Sequence, residues 1–178
     1  MAMPKKHRIL IATDGSLPAQ AALETVVKFP WPASSVVSVI VARLPWIRSN
    51  SERPRAVVKK SIEAAATAAR RALARRWPES KVMVSDAPPV DAILAEAARF
   101  KASLIVVGWR GHGTFRRLLA GSVSRSVAAH APCPVLVVRE AAKAVRRFVV
   151  GFDGCPMLSA PWNFSARLSP SAAAAWCS

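Results

Sequence analysis

Cysteine is scarce in this sequence and long apolar runs are missing, and each shortage excludes a class of protein. The three cysteines among 178 residues form no Cys-x-x-Cys pair, which argues against a zinc cage and against a secreted disulfide framework. No apolar stretch reaches the roughly 20 residues that a membrane helix requires. The apolar run nearest the N-terminus, Ile9 to Ala12, is too short for a signal peptide. We therefore expect a cytoplasmic protein without a membrane partner.

Acidic residues are also scarce, so the chain carries a strong positive charge. Ten Asp and Glu residues stand against 26 Lys and Arg residues, which gives a net charge of +16 at pH 7. Such a charge suits nucleic acid, an anionic membrane or nucleotide phosphate. Much of the excess lies between Arg48 and Arg76 in a predicted helix, where a solvated face is the simpler interpretation. No aromatic residues alternate with these basic residues, so nucleic-acid binding is an alternative and not the leading hypothesis.

Apolar runs and chain breakers alternate along the sequence in a regular order. Short runs, several of them β-branched, are followed by segments with helical spacing of apolar residues. Strands are predicted at 8–13, 35–42, 81–85, 103–107 and 135–138, and helices at 17–28, 56–77, 90–100 and 123–130. This alternation favours a parallel sheet with right-handed crossovers. Residues 1–140 are therefore predicted to form one α/β domain.

The segment from Gly108 to Ser124 has the features of a phosphate cradle. Glycines at 108, 111 and 113 follow an apolar strand, and Gly121-Ser122 opens the next predicted helix, with Ser122 as its cap. Glycine lets a backbone approach a ligand closely, and the first N–H groups of a helix attract anions. Gly113 is not followed by Lys-Ser/Thr as in a P-loop, and Arg116 stands where a dinucleotide fingerprint needs glycine. The alternative is that these glycines serve only a turn.

Asp14 is the acidic residue that we expect beside this cradle. It follows the first predicted strand, and Gly108 follows the fourth. In an open parallel sheet, ligands lie beyond the carboxyl ends of the strands, so both residues would face one crevice if these strands are neighbours. The Asp14 carboxylate could then accept hydrogen bonds from ribose hydroxyls or help to hold Mg²⁺. The alternative is that Asp14 forms an Asx-turn or caps the first helix.

Three ordered signatures together resemble the universal stress protein family, in its ATP-binding branch. They are the opening Ile-Leu-Ile-Ala-Thr-Asp-Gly-Ser, the spacing Gly-x2-Gly-x9-Gly-Ser and the late Pro-Val-Leu-Val-Val, and they span Lys6 to Arg139. The resemblance implies a five-stranded parallel doubly wound sheet with strand order 3-2-1-4-5 and helices on both faces. It also implies bound ATP and a homodimer formed through the last strand.

The resemblance further implies a set of nucleotide-binding positions. The residues expected around adenine and ribose are Ala12, Thr13, Asp14 and Val41. Those expected along the sugar and phosphates are Val107, Gly108 and Gly111, and those expected to donate to the phosphate chain are Gly121, Ser122, Val123 and Ser124. Arg110, Arg116 and Arg117 add positive charge to the loop, where we expect them to face solvent. Trp109 is bulkier than the residue that the family usually has there.

A second domain is suggested by a short internal repeat. Residues 147–155 repeat the design of residues 8–16: an arginine, a largely apolar run and then Asp-Gly. Residues 141–178 are therefore predicted to hold a linker, the first strand of an incomplete second repeat and an irregular tail. The hypothesis is a tandem protein whose second half was lost by truncation or by a shifted reading frame. Phe148 to Phe152 would then be an orphan strand that needs a partner.

No catalytic residue is assigned from the sequence. Phosphoryl transfer needs an oriented nucleophile, a base and charge neutralisation, and no base or acceptor site is evident. Neither a Ser-His-Asp order nor an H-E-x-x-H motif occurs. The leading hypothesis is an ATP-binding regulatory protein of the stress response, with at most slow ATP hydrolysis. The alternatives are a nucleotide-free interaction or dimerisation module of the same fold, a related nucleotide-using enzyme and a basic nucleic-acid-binding protein.

Overall fold

Nine helices and strands alternate along the parts of the chain that the computed structural model describes, which are residues 7–42, 55–111 and 121–141. They are β1 (Arg8–Thr13), α1 (Leu17–Lys28), β2 (Val36–Ala42), α2 (Arg55–Ala74), β3 (Lys81–Ser85), α3 (Pro89–Phe100), β4 (Leu104–Gly108), α4 (Ser122–His130) and β5 (Val135–Val138). The predicted second repeat lies outside these residues, as do Gly113, Arg116 and Arg117.

The five strands form one parallel sheet in the order β3-β2-β1-β4-β5, which confirms the predicted topology. β1 lies at the centre, where Ile11 pairs with Val39 of β2 on one side and with Val106 of β4 on the other. Continuous apolar runs form these inner strands because helices cover both faces of the sheet and leave neither face to water.

Two hydrophobic clusters, one on each face, hold the helices against the sheet. Successive residues of a strand point to opposite faces, so each strand contributes to both clusters. One cluster joins the sheet to α1 and α2 through buried residues that include Ile9, Ile11, Val39, Val106, Val26, Ala69 and Leu73. The other joins it to α3 and α4 through buried residues that include Leu10, Ala12, Ile105, Val107, Ile93, Ala97 and Val127. The sheet is therefore doubly wound, as predicted.

The element boundaries differ from the prediction at a few ends. α2 ends at Ala74 rather than at Trp77, and the buried Trp77 indole N–H instead donates to the Ser35 carbonyl at 3.0 Å. β4 extends one residue further, to Gly108. The prediction that Ser122 caps α4 is wrong, because the cap position belongs to Gly121 and no side chain caps this helix. In the described part of the chain, no helix combines the length and the apolar character needed to cross a bilayer.

Candidate functional site

The carboxyl ends of β1 and β4 lie side by side at the centre of the sheet. Ala12 of β1 pairs with Val107 of β4, so the loops that follow the two strands leave from neighbouring positions. A Cβ atom built on Gly111 would collide with Oδ2 of Asp14. The structure therefore brings Asp14 and the start of the glycine-rich segment together at one end of the sheet. Glycine at 111 leaves room for the carboxylate.

Asp14 also shapes the turn between β1 and α1. Its Oδ1 atom accepts a hydrogen bond from the Ser16 N–H at 3.0 Å, which is the Asx-turn that the alternative interpretation expected. Gly15 has φ of 80°, a conformation that glycine adopts without a steric cost. Ser16 then caps α1, because its Oγ accepts from the Ala19 N–H at 3.4 Å. One oxygen of Asp14 thus holds the turn while the other faces Gly111.

Gly108 has a packing role in addition to the close ligand approach that the sequence predicts, which stays a prediction. A Cβ atom at this position would lie 2.6 Å from the carbonyl carbon of Pro18 and 2.7 Å from the Ala19 nitrogen. Both are backbone atoms of the first turn of α1, which cannot move aside without moving the helix. Glycine at 108 is therefore required for the packing of β4 against α1.

The first turn of α4 supplies backbone amides at the same end of the sheet. In any α-helix the first N–H groups have no partner within the helix, and here they belong to Ser122, Val123 and Ser124. Two other groups expected to contact phosphate already have protein partners. The Gly121 N–H donates to the Trp109 carbonyl at 2.7 Å, and the Ser124 hydroxyl lies 3.0 Å from the same oxygen.

The indole ring of Trp109 contacts two arginine side chains, and the sequence analysis did not predict that they lie together. The guanidinium carbon of Arg110 lies over the indole ring at 4.1 Å from its centroid, and that of Arg139 lies over it at 4.8 Å. The backbone N–H of Trp109 donates to the Val138 carbonyl at 2.8 Å, which fixes this residue beside β5. Arg110 was expected to face solvent, yet it is only partly exposed.

Arg139 was missed as a residue of this site because it lies 30 positions from Trp109 in the sequence. The signal that connects them is the strand register. Gly108 pairs with Val138, so the next residues along the two parallel strands, Trp109 and Arg139, lie opposite each other. Side chains of directly opposed residues point to the same face and can interact.

The residues predicted around adenine and ribose lie at the expected strand ends but are largely buried. Thr13 pairs with Val41 at the carboxyl ends of β1 and β2. The exposed fractions are 6% for Ala12, 7% for Thr13, 1% for Val41 and 3% for Val107. Ala12 and Val107 pack into the cluster under α3 and α4. These residues are therefore largely part of the core and offer little side-chain surface to a ligand.

The chemistry of the site favours anion binding over metal binding by protein groups alone. Within the described ranges, no group of three or more His, Cys, Asp and Glu side chains is placed to hold a metal ion. A cation at Asp14 would need most of its ligands from bound phosphate and water. Cys133, in the turn between α4 and β5, is no activated nucleophile, because burial raises the pKa of its thiol.

Comparison with known proteins identifies relatives of one kind. The profile of the Universal stress protein family matches residues 6–139. Universal stress protein YxiE of Bacillus subtilis is 28% identical over 146 residues, which cover 75% of this chain and 99% of that protein. A universal stress protein of Thermus aquaticus is 47% identical over 62 residues, which cover 35% of this chain and 45% of that protein. The chain thus spans less than half of the Thermus relative.

Among solved structures, a universal stress protein in complex with cAMP superposes with a TM-score of 0.57. The two sequences are 26% identical, and the match covers 75% of this chain and 97% of the other.

Proposed function

Because the chain belongs to the universal stress protein family, we propose that residues 1–140 form an ATP-binding regulatory domain of the stress response. The observation that carries the proposal is the meeting of Asp14, Gly111 and the amino terminus of α4 at one end of the sheet. The related structure in complex with cAMP supports an adenine nucleotide as the ligand. The cytoplasm is the proposed location, since that compartment supplies ATP.

The described residues suit such a ligand in chemical terms. The first-turn amides of Ser122, Val123 and Ser124 would donate to phosphate oxygens, and the positive end of the helix dipole would add to the attraction. Asp14 would accept hydrogen bonds from ribose hydroxyls through the oxygen that faces Gly111, or hold Mg²⁺ together with the phosphates. The base would lie beyond the buried ends of β1 and β2.

The proposed regulatory form is a homodimer made through β5. This strand lies at the edge of the sheet, and 38% of Leu136 and 38% of Val137 are exposed. An edge strand with exposed apolar residues is a surface on which another chain can pair. Since β5 ends beside Trp109, a nucleotide at α4 would lie close to the dimer contact.

Calorimetric titration with ATP tests the proposal directly. We expect saturable binding by the parent chain and a loss of at least about tenfold in affinity for Gly121→Val, roughly the value of one hydrogen bond to a charged group. The reason is steric, because a Cβ atom at 121 would already lie 3.1 Å from the Trp109 carbonyl oxygen and 3.2 Å from the Arg110 Cα. Valine would push the first turn of α4 away from the loop.

Ala128→Val provides the matched control for this experiment. It places the same side chain on an exposed position of α4, away from its amino terminus, so ATP affinity should change less than twofold. Circular dichroism of both variants would show that the helix still forms. Absence of saturable binding by the parent chain at millimolar ATP would remove the proposal.

A nucleotide-free interaction module is the second candidate, and one observation favours it. The Trp109 carbonyl already accepts from the Gly121 N–H at 2.7 Å and lies 3.0 Å from the Ser124 hydroxyl. The loop backbone and the first turn of α4 are therefore joined by hydrogen bonds within the protein. Mass spectrometry of the purified chain under native conditions would distinguish the two candidates, since a co-purified nucleotide supports the first and a nucleotide-free dimer supports the second.

A further inference from the structure

We propose that Trp109, Arg110 and Arg139 together make the nucleotide site selective for polyphosphates, so that the chain binds ATP more tightly than AMP. This inference rests on the proposed function, because it concerns the phosphate end of the same site. It assigns a role to three residues that lie beyond the glycine positions, and it treats Trp109 as the residue that positions the two cations.

Trp109 and Arg110 adjoin the amino terminus of α4. The Trp109 carbonyl accepts from the Gly121 N–H, and the Arg110 Cα lies 3.2 Å from where a Cβ on Gly121 would be. Arg139 is connected to them through its contact with the Trp109 ring. Two guanidinium groups thus lie at the ring of the residue whose carbonyl is hydrogen-bonded to the cap residue of the helix that would receive phosphate.

The indole ring holds these guanidinium groups in a defined place. Each lies within the distance at which a cation is attracted to the face of a tryptophan, 4.1 Å for Arg110 and 4.8 Å for Arg139. An unrestrained arginine would lose rotamer freedom when it contacts phosphate, and part of that entropy is already lost here. Trp109 therefore acts by positioning, without contact to the ligand.

The charge of Arg139 is available to a ligand. Its side chain is exposed, and none of the ion pairs among the described residues involves it. Guanidinium groups bind phosphate oxygens through paired N–H donors. A single phosphate can be satisfied by the amides of Ser122 to Ser124, whereas each additional phosphate brings negative charge that needs a partner further out. The affinity for ATP should therefore depend on Arg139 more than the affinity for AMP does.

Calorimetric titrations with ATP, ADP and AMP, with EDTA present so that Mg²⁺ does not mask charge, test this inference. For Arg139→Gln we expect the ATP dissociation constant to rise about three- to tenfold, as for a partly exposed charged contact, and that of AMP to change less than twofold. Trp109→Leu should also raise the ATP dissociation constant more than the AMP dissociation constant, although it removes no charge. Trp109→Phe, which keeps an aromatic face, should restore most of the preference.

Arg71→Gln is the charge-matched control, because Arg71 is an exposed residue of α2 and its loss lowers the net charge equally. The inference is overturned if Arg71→Gln and Arg139→Gln weaken ATP binding equally. It is also overturned if Arg139→Gln weakens AMP binding as much as ATP binding. If the Trp109→Leu variant does not fold, the effect of Arg139→Gln on the affinities for ATP and AMP tests the inference by itself. If the parent chain binds no nucleotide, the proposed function and this inference are both wrong. If the parent chain binds nucleotide but Arg139→Gln leaves the ratio of the ATP and AMP dissociation constants unchanged, only the inference is wrong.

Discussion

Gly108 and Gly111 are three residues apart, and each leaves room for a different neighbour. The space at Gly108 is filled by the backbone of Pro18 and Ala19, and the space at Gly111 by the Asp14 carboxylate. A backbone neighbour cannot shift without moving a whole helix, whereas a carboxylate can rotate about its own bonds. The same residue type therefore serves packing at one position and the candidate site at the other.

The two alanine variants should separate these roles. We expect Gly108→Ala to lower the free energy of unfolding by about 1–3 kcal/mol, the usual cost of overpacking, measured by urea unfolding. Gly111→Ala should change stability by less than about 1 kcal/mol, because the exposed glycine has no positive φ, but should displace Asp14 and weaken ATP about tenfold. Each variant is the control for the other, and a reversed pattern would contradict the assignment of the two glycines.

At the scale of the elements, the two edges of the sheet differ in what they expose. β5 presents Leu136 and Val137 close to the candidate site, and β3 presents Val84, which is 50% exposed, at the opposite edge. β3 also begins with the exposed Lys81, a charged residue of the kind that discourages pairing between edges. The β5 edge is therefore the better surface for a second copy of the chain.

Sedimentation equilibrium of two lysine variants should show which edge is used. We expect Leu136→Lys to shift the proposed homodimer towards monomer, because the dimer would bury an unpaired charge. Val84→Lys makes the same change at the other edge and should leave the dimer intact. Dissociation by Val84→Lys but not by Leu136→Lys would place the contact at β3 and contradict the proposal.

At the scale of the whole molecule, positive charge dominates. The net charge is +16, and the exposed cations of α2 include Lys59, Lys60, Arg70 and Arg71. Of these, Lys59 lies 3.9 Å from the Glu63 carboxylate. A surface of this kind attracts any polyanion, and such attraction weakens as salt rises. Specific nucleotide binding must therefore be separated from this general effect by ionic strength.

Thermal unfolding in the presence of ATP should make that separation. At 100 times the dissociation constant, ATP should stabilise the fold by about 2.7 kcal/mol and raise Tm by about 5–10 °C. The shift should survive in about 0.5 M NaCl, where attraction to a general positive surface is strongly screened. The Gly121→Val variant should show little of this rise in Tm. A shift that disappears in salt, or that Gly121→Val retains, would assign the effect to the basic surface.

The fold could be predicted from local patterns because the physics that forms its elements is local. Apolar runs such as Ile9 to Ala12 predicted buried strands, and their alternation with helices led to the parallel sheet. The meeting of Asp14 with the glycine segment followed from the rule that ligands lie beyond the carboxyl ends of strands. Helix ends were less predictable, since Gly121 rather than Ser122 caps α4 and Trp77 lies beyond the end of α2.

By itself, the sequence determined the order of strands and helices, the excess of positive charge and the residues that could form a cradle, because each depends on residue type and spacing along the chain. Only the tertiary structure decided that Gly108 faces α1, that the Trp109 carbonyl accepts from Gly121, and that Arg139 lies over Trp109. Those contacts join segments that are distant in the chain. They depend on strand register and helix packing, which no local pattern specifies.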